Sequence, residues 1–136
     1  MTTYPNQYIE NKTFIDIPVG IACFDENIHV KNCVFINCTD EGIVLFYSNN
    51  TIENCIFYNC CDGIELQQSS NNLIKNCIFI ENNHCGIDAL SGCKDNDIKD
   101  SIFIENSQSI YDLDESFNVE DCKFISNQEG IGWHEK

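Results

Sequence analysis

Carboxylate, thiol and imidazole side chains occur together in two short stretches of the chain. One stretch carries Asp62 and Glu65, and the other carries His84, Cys85 and Asp88. Carboxylates that converge can act as general acid and base, and they can also bind Ca²⁺. Thiolates combined with an imidazole suit Zn²⁺ or Cu⁺. The chemistry open to this chain therefore depends on whether its fold brings the two stretches together.

The cysteines near these stretches are the candidates for a metal site. They lie with one histidine shortly before a recurring Gly-Ile pair, and no Cys-x-x-Cys pair is present. Thiols stacked in a column would also lack the tetrahedral geometry that zinc prefers. We therefore predict no metal and no cofactor. The residues that would hold a metal, if one binds, are Cys60, Cys61, His84 and Cys85.

Two phrases recur along the chain and must position these side chains. Copies of the first phrase are 21 to 24 residues apart and begin at Ile9, Val30, Ile52, Ile74, Ile98 and Val119. The second phrase is Gly-Ile and begins at Gly20, Gly42, Gly63, Gly86 and Gly130, with Ser109 once in place of glycine. Repeats of this length indicate one structural unit copied and stacked as a solenoid.

Each repeat holds Ile, Val and Phe in short bursts separated by Asn, Asp, Ser and Gly, which is typical of strands and tight turns. This pattern resembles the right-handed parallel β-helix repeat family of pectate-lyase-like and NosD-like proteins. The resemblance implies an all-β solenoid of about six rungs with about three short strands per rung. It also implies two inward ladders where relatives place Asn. Here the ladders hold Lys12, Cys33, Cys55, Cys77, Ser101 and Cys122, and then Ile17, Cys38, Cys60, Asn82, Asn106 and Asn127.

The ladder cysteines are predicted to be reduced. Cys33, Cys55 and Cys77 occupy equivalent positions, so their side chains should run parallel about 4.8 Å apart. That separation is wider than a disulfide accepts between Cβ atoms. The chain also shows no N-terminal apolar stretch and no segment long enough to span a bilayer, so we expect a cytoplasmic protein.

No change in composition divides the chain, and we expect one domain over residues 1–136. The ends of a solenoid would otherwise expose unpaired strands. Residues 1–8 are therefore expected to cover the first coil, and residues 130–136 the last.

Charge is the second strong signal in the sequence. The chain has 22 acidic residues, seven lysines and no arginine, for a formal net charge of -15. The negative electrostatic field of such a chain repels nucleic acid and anionic membranes. The charge either serves solubility alone or attracts a basic protein. We predict a basic protein partner, with no direct contact to nucleic acid or membrane. The residues predicted to bind it are Asp40, Glu41, Asp62, Glu65, Glu81, Asp88, Glu105, Asp112, Asp114 and Glu115.

The second strand of each repeat carries three apolar residues in succession. If its phenylalanine points inward, the next residue points outward, because neighbouring side chains alternate between the faces of a sheet. A bend in the coil would instead turn some of these residues inward. A long outward stripe predicts an interface with a second copy of the chain, which is the simplest case, or with another partner. Its residues are Ile36, Tyr58, Ile80, Ile104 and Ile125.

The resemblance invites an enzymatic interpretation that the residues do not favour. Pectate-lyase-like enzymes use Arg or Lys as the base, whereas this chain has no arginine. The motifs typical of polygalacturonases are absent as well. We therefore predict a non-catalytic β-helix that binds and inhibits a basic nucleic-acid-handling protein, as virus-encoded antagonists of host defence do. The alternatives are a carbohydrate-active or glycan-binding β-helix and a thiol-rich metal-binding protein.

Overall fold

A computed structural model of the chain describes residues 1–132, which form three six-stranded parallel sheets. The first sheet contains β1 (Tyr8–Glu10), β4 (His29–Lys31), β7 (Thr51–Glu53), β10 (Leu73–Lys75), β13 (Asn96–Lys99) and β16 (Phe117–Glu120). The second contains β2 (Thr13–Ile15), β5 (Val34–Ile36), β8 (Ile56–Tyr58), β11 (Ile78–Ile80), β14 (Ile102–Ile104) and β17 (Lys123–Ile125). The third contains β3 (Val19–Cys23), β6 (Glu41–Leu45), β9 (Asp62–Leu66), β12 (Cys85–Ala89), β15 (Gln108–Asp112) and β18 (Glu129–Gly132).

Each coil of the chain contributes one strand to each sheet. Equivalent residues of successive coils pair across the sheets, as Ile52, Ile74 and Ile98 do in the first sheet. The predicted all-β solenoid of six coils with three short strands each is confirmed. Within residues 1–132 there is no helix with the length and apolarity that crossing a bilayer requires.

A residue with positive φ lies at each corner of the coil. After the first sheet these residues have φ between 51° and 60° and are Asn11, Asn32, Asn54, Asn76, Asp100 and Asp121. Asn and Asp adopt this conformation more readily than other residues that carry a Cβ. The next residue is generally buried, as Cys33 is after Asn32 and Asn50 is after Asn49. The corner asparagines therefore turn the chain and direct the following side chain inward.

The phenylalanines of the second sheet form the centre of the core. Phe35, Phe57, Phe79 and Phe103 are fully buried, and their stacked rings have centroids 4.6 to 4.9 Å apart. Offset stacking of this kind adds to the stabilisation from burial alone. The inward direction of this column fixes the residues on either side of each phenylalanine on the outer face.

The ladders satisfy backbone groups at the corners. At the corner before the first sheet, Oδ1 of Asn72 accepts hydrogen bonds from the backbone N–H and the side-chain amide of Asn50, at 2.9 and 3.1 Å. Asn72 donates in the same way to Asn96. Two ladders were predicted from the sequence, and this third one was not. None of the ten cysteines, which all lie within residues 1–132, forms a disulfide, and the prediction made for the ladder cysteines agrees with this.

Residues near both ends were predicted to cover the solenoid. Thr2 forms a parallel bridge with Ala22 of β3, so the N-terminal segment lies along the edge of the third sheet. The predicted C-terminal cap, residues 130–136, lies partly outside the described residues.

Candidate functional site

The two stretches with chemically active side chains lie side by side on the third sheet. Asp62 begins β9, Cys85 begins β12, and the two residues are paired across the sheet. Three residues further along the same strands, Glu65 is paired with Asp88. The parallel register thus brings together residues that are about one repeat apart in the sequence, as their spacing predicts.

His84 lies over the buried carboxylates of this group. Its Nδ1 is 2.9 Å from Oδ1 of Asp62, 3.7 Å from Oδ2 of Asp88 and 3.5 Å from Sγ of Cys85. The backbone N–H of Cys85 donates to the same Asp62 oxygen at 3.1 Å. The His84 side chain is 57% exposed, whereas those of Asp62 and Asp88 are 6% and 7% exposed. An exposed imidazole therefore covers two carboxylates that are otherwise buried.

Burial controls the protonation of these carboxylates. It raises the pKa of Asp62, although the hydrogen bond from His84 opposes that rise. Burial, followed by the charge of Asp62, raises the pKa of Asp88 to about 7. On the neighbouring strand, burial followed by the charge of Glu65 raises the pKa of Glu41 to about 8. Near neutral pH the group therefore keeps protons that exposed carboxylates would have lost.

The surroundings limit what this group of side chains can bind. A shallow depression of about 220 Å³ adjoins it and is lined by His84, Ser107, Gln108, Gln128 and Glu129. Pockets that enclose organic ligands typically measure about 300 to 1,000 Å³. The side chains of this group offer ligand atoms that suit a metal ion or a proton. The volume of the depression beside them is smaller than that of a typical pocket for an organic substrate.

Two of the four candidate metal ligands lie outside the group. Cys60 is fully buried, and its thiol donates to the backbone carbonyls of Phe35 in the preceding coil and of Tyr58 in its own coil. Cys61 is half-buried and is not among the converging ligand atoms of the described residues. Two buried aspartates take their place beside His84 and Cys85. The signal in the sequence was the position of Asp62 one repeat before Cys85.

The acidic residues predicted to bind a partner fall into three groups. Three are buried, contrary to their predicted place on the surface: Asp62, Asp88 and Asp112. Asp112 accepts hydrogen bonds of 2.9 Å from the backbone and the hydroxyl of Ser116, and so closes a turn. Glu41 and Glu65 are half-buried beside Asp62. The exposed members are Asp40, Glu81, Glu105, Asp114 and Glu115.

The second sheet presents apolar side chains on its outer face. The predicted column is half-buried or exposed along its whole length and consists of Ile36, Tyr58, Ile80, Ile104 and Ile125. The residue before each phenylalanine also faces outward, because the strands have only three residues. This adds a second column of Val34, Ile56, Ile78 and Ile102. The apolar face is therefore two columns wide, where the sequence analysis expected one.

Comparison with known proteins places the chain in a family. Residues 2–135 match the sequence model of a family described as "Right handed beta helix region". No curated protein gives a significant match. The match spans nearly the whole chain, and three stacked parallel sheets are the architecture that the description names. The chain therefore belongs to the right-handed β-helix family.

Proposed function

We propose that this protein is a non-catalytic β-helix that binds a basic, nucleic-acid-handling protein and blocks it. The observation that carries the proposal is the segregation of charge around the coil. We define the acidic side as the third sheet together with the corner before it. Within residues 1–132 it holds no lysine, and its ten acidic residues are Asp16, Asp40, Glu41, Asp62, Glu65, Glu81, Asp88, Glu105, Asp112 and Glu129.

The first sheet carries charge of both signs and is close to neutral. Lys31 lies between Glu10 and Glu53 of the neighbouring strands. Further along the same sheet, Nζ of Lys99 is 3.7 Å from a carboxylate oxygen of Glu120. The negative field of the molecule therefore points away from the first sheet, and a one-sided field of this kind orients an approaching basic protein.

The acidic side has a charge spacing similar to that of a nucleic acid strand. Glu81 and Glu105 are exposed at the same corner on successive coils, which repeat about every 4.8 Å. Without Glu41, whose raised pKa keeps it largely protonated at neutral pH, the six other exposed or half-buried acids on this side average roughly one per 4 Å of the solenoid axis, comparable to the phosphate spacing of a single strand. A basic surface that accepts a phosphate backbone would accept this side too.

The test compares two charge reversals that are matched in backbone geometry. Glu81→Lys with Glu105→Lys reverses charge on the acidic side, at residues with φ of 53° and 54°. Asp100→Lys with Asp121→Lys makes the same change at the corner after the first sheet, at φ of 51° and 54°. All four residues are exposed, so neither pair disturbs the core. Each protein is immobilised and used to capture proteins from a lysate of the source organism at low and high salt.

The expected result is one nucleic-acid-binding protein retained by the wild type and by the control pair. It should be lost from the Glu81 and Glu105 pair, released at high salt, and displaced by added duplex nucleic acid, since exposed charges are screened within about 10 Å at 0.1 M salt. The proposal would be wrong if both reversals lowered retention equally. It would also be wrong if the captured protein bound nucleic acid and this chain at the same time, without competition between them.

A further inference from the structure

We propose that the converging group on β9 and β12 binds one Zn²⁺ ion. Its ligand atoms lie within 4.8 Å of one another and belong to Asp62, His84, Cys85 and Asp88. Two carboxylates, an imidazole and a thiol are donor types that zinc accepts in proteins. The inference does not depend on a basic partner, because it rests on the geometry of this group alone.

The three separations around Nδ1 of His84 are close to those that a tetrahedral ion requires. Bond lengths of about 2.0 to 2.3 Å to zinc place neighbouring N, O and S ligand atoms roughly 3.3 to 3.6 Å apart in a tetrahedron. Around Nδ1 of His84 the observed distances are 2.9 Å to Asp62, 3.5 Å to Cys85 and 3.7 Å to Asp88. Shifts of a few tenths of an ångström, within reach of the exposed His84 ring, would make all three distances those of a shared ion.

An unpaired oxygen points to a missing partner at the same place. Asp88 is 5% exposed, and its Oδ1 is buried without any hydrogen-bond partner. Buried polar atoms of this kind are uncommon in folded proteins because leaving them unpaired is costly. The second oxygen of the same carboxylate lies 3.7 Å from His84. A cation held by this carboxylate would supply the partner that the protein does not.

The donor set favours zinc over the cations that prefer oxygen. Ca²⁺ and Mg²⁺ take six or more oxygen ligands, and neither prefers nitrogen or sulfur. Glu65 lies next to Asp62, and its carboxylate is held by a hydrogen bond of 2.5 Å from the side-chain amide of Gln67. A carboxylate at this place raises the local concentration of cations. The exposed imidazole leaves an entry path from solvent.

The test uses the full chain, stripped of metal by a chelator and then titrated separately with Zn²⁺, Co²⁺ and Ca²⁺. His84→Ala removes an exposed ligand, and His29→Ala is its control, because His29 stacks on Tyr8 in the first sheet. Cys85→Ser removes the thiolate, and Cys122→Ser changes a thiol outside the converging group. Calorimetry gives stoichiometry and affinity, the Co²⁺ spectrum reports tetrahedral geometry and sulfur ligation, and circular dichroism shows that each variant is folded.

We expect one Zn²⁺ per wild-type chain and a loss of zinc affinity of about 100-fold or more in His84→Ala. Mutation of a residue that only hydrogen-bonds to a metal ligand already lowers metal affinity about 10- to 100-fold. His29→Ala and Cys122→Ser should bind as the wild type does. In Cys85→Ser, the thiolate band of bound Co²⁺ should disappear. The inference would be overturned by the absence of stoichiometric binding, by equal affinity in His84→Ala, or by preferential binding of Ca²⁺ that Cys85→Ser leaves unchanged.

Discussion

At the residue scale, the thiols that replace amides in the ladders lie close to backbone carbonyl oxygens, to which they donate. Sγ of Cys55 lies 3.9 Å from the backbone oxygen of Val30 and 3.4 Å from that of Glu53. At the same ladder position Ser101 donates to Lys99 at 2.9 Å. The thiol is thus a weak donor inside an apolar column, which agrees with the behaviour of free cysteine as a small hydrophobic residue.

Thiol reactivity is a direct test of this packing. Burial, followed by Asp25, raises the pKa of Cys23 to about 12, and burial followed by Asp62 raises that of Cys61 to about 11. Against an ordinary value of about 8.5, a pKa near 11 lowers the thiolate fraction at pH 8 by roughly two orders of magnitude. We expect iodoacetamide at pH 8 to label the native protein slowly, only at the partly buried Cys61 and Cys122.

Peptide mapping by mass spectrometry measures this labelling. The protein unfolded in urea is the control, and all ten cysteines should then react at the rate of free thiols. Rapid labelling of Cys55 in the native protein would contradict the packed column.

At the scale of elements, the Gly-Ile phrase exists because neighbouring coils approach closely at that point. A Cβ added to Gly63 would lie 2.6 Å from the backbone oxygen of Gly86 and 2.8 Å from Cδ2 of Phe79. Real Cβ atoms do not approach other atoms so closely, so a side chain here would push the third sheet away from the phenylalanine column. At Gly130 an added Cβ meets nothing within 4 Å. The same phrase therefore carries different constraints in different coils.

These two glycines give a matched pair of variants. We expect Gly63→Ala to lower the free energy of unfolding by about 1 to 3 kcal/mol, the usual cost of forcing extra volume into a packed core. Gly130→Ala should change it by less than about 0.5 kcal/mol. Urea unfolding followed by circular dichroism measures both variants. If Gly63→Ala were as stable as Gly130→Ala, the close approach between coils would not be what requires glycine.

The repeat phrases predicted the strands and their register, because one burial pattern recurs in every coil and apolar side chains must stack. They did not reveal the ladder of Asn50, Asn72 and Asn96, which lies outside both phrases. The burial of Asp62 and Asp88 could not be predicted from the sequence either. It depends on how His84 and the neighbouring strand cover the outer face of the third sheet, and acidic residues are usually exposed.

At the scale of the whole molecule, the apolar face and the acidic side adjoin at the corner between the second and third sheets, where Glu81 directly follows Ile80. Strands of three residues make the apolar face about 10 Å wide, and five coil spacings make it about 24 Å tall. The resulting area of about 240 Å² is well below the roughly 800 Å² that each partner buries in a stable complex. A dimer formed through this face alone should therefore be weak.

We propose that a second copy of the chain covers this face, and Ile80→Lys tests the proposal. Ile80 is half-buried at the outer end of β11, and Leu73→Lys makes a similar change at a half-buried position on β10 of the first sheet. In sedimentation equilibrium the wild type and Leu73→Lys should associate only at high concentration, whereas Ile80→Lys should stay monomeric. Persistence of the dimer in Ile80→Lys, or a monomeric wild type at every concentration, would refute it.

Salt separates this self-association from the proposed acidic docking. Two copies that each carry a formal charge of -15 repel one another, so added salt should strengthen the dimer by screening that repulsion. The same salt should weaken the complex with a basic protein, where the charges attract. Dimerisation that weakened with salt would mean that charged contacts hold the two copies together, and the apolar face would then not be the interface.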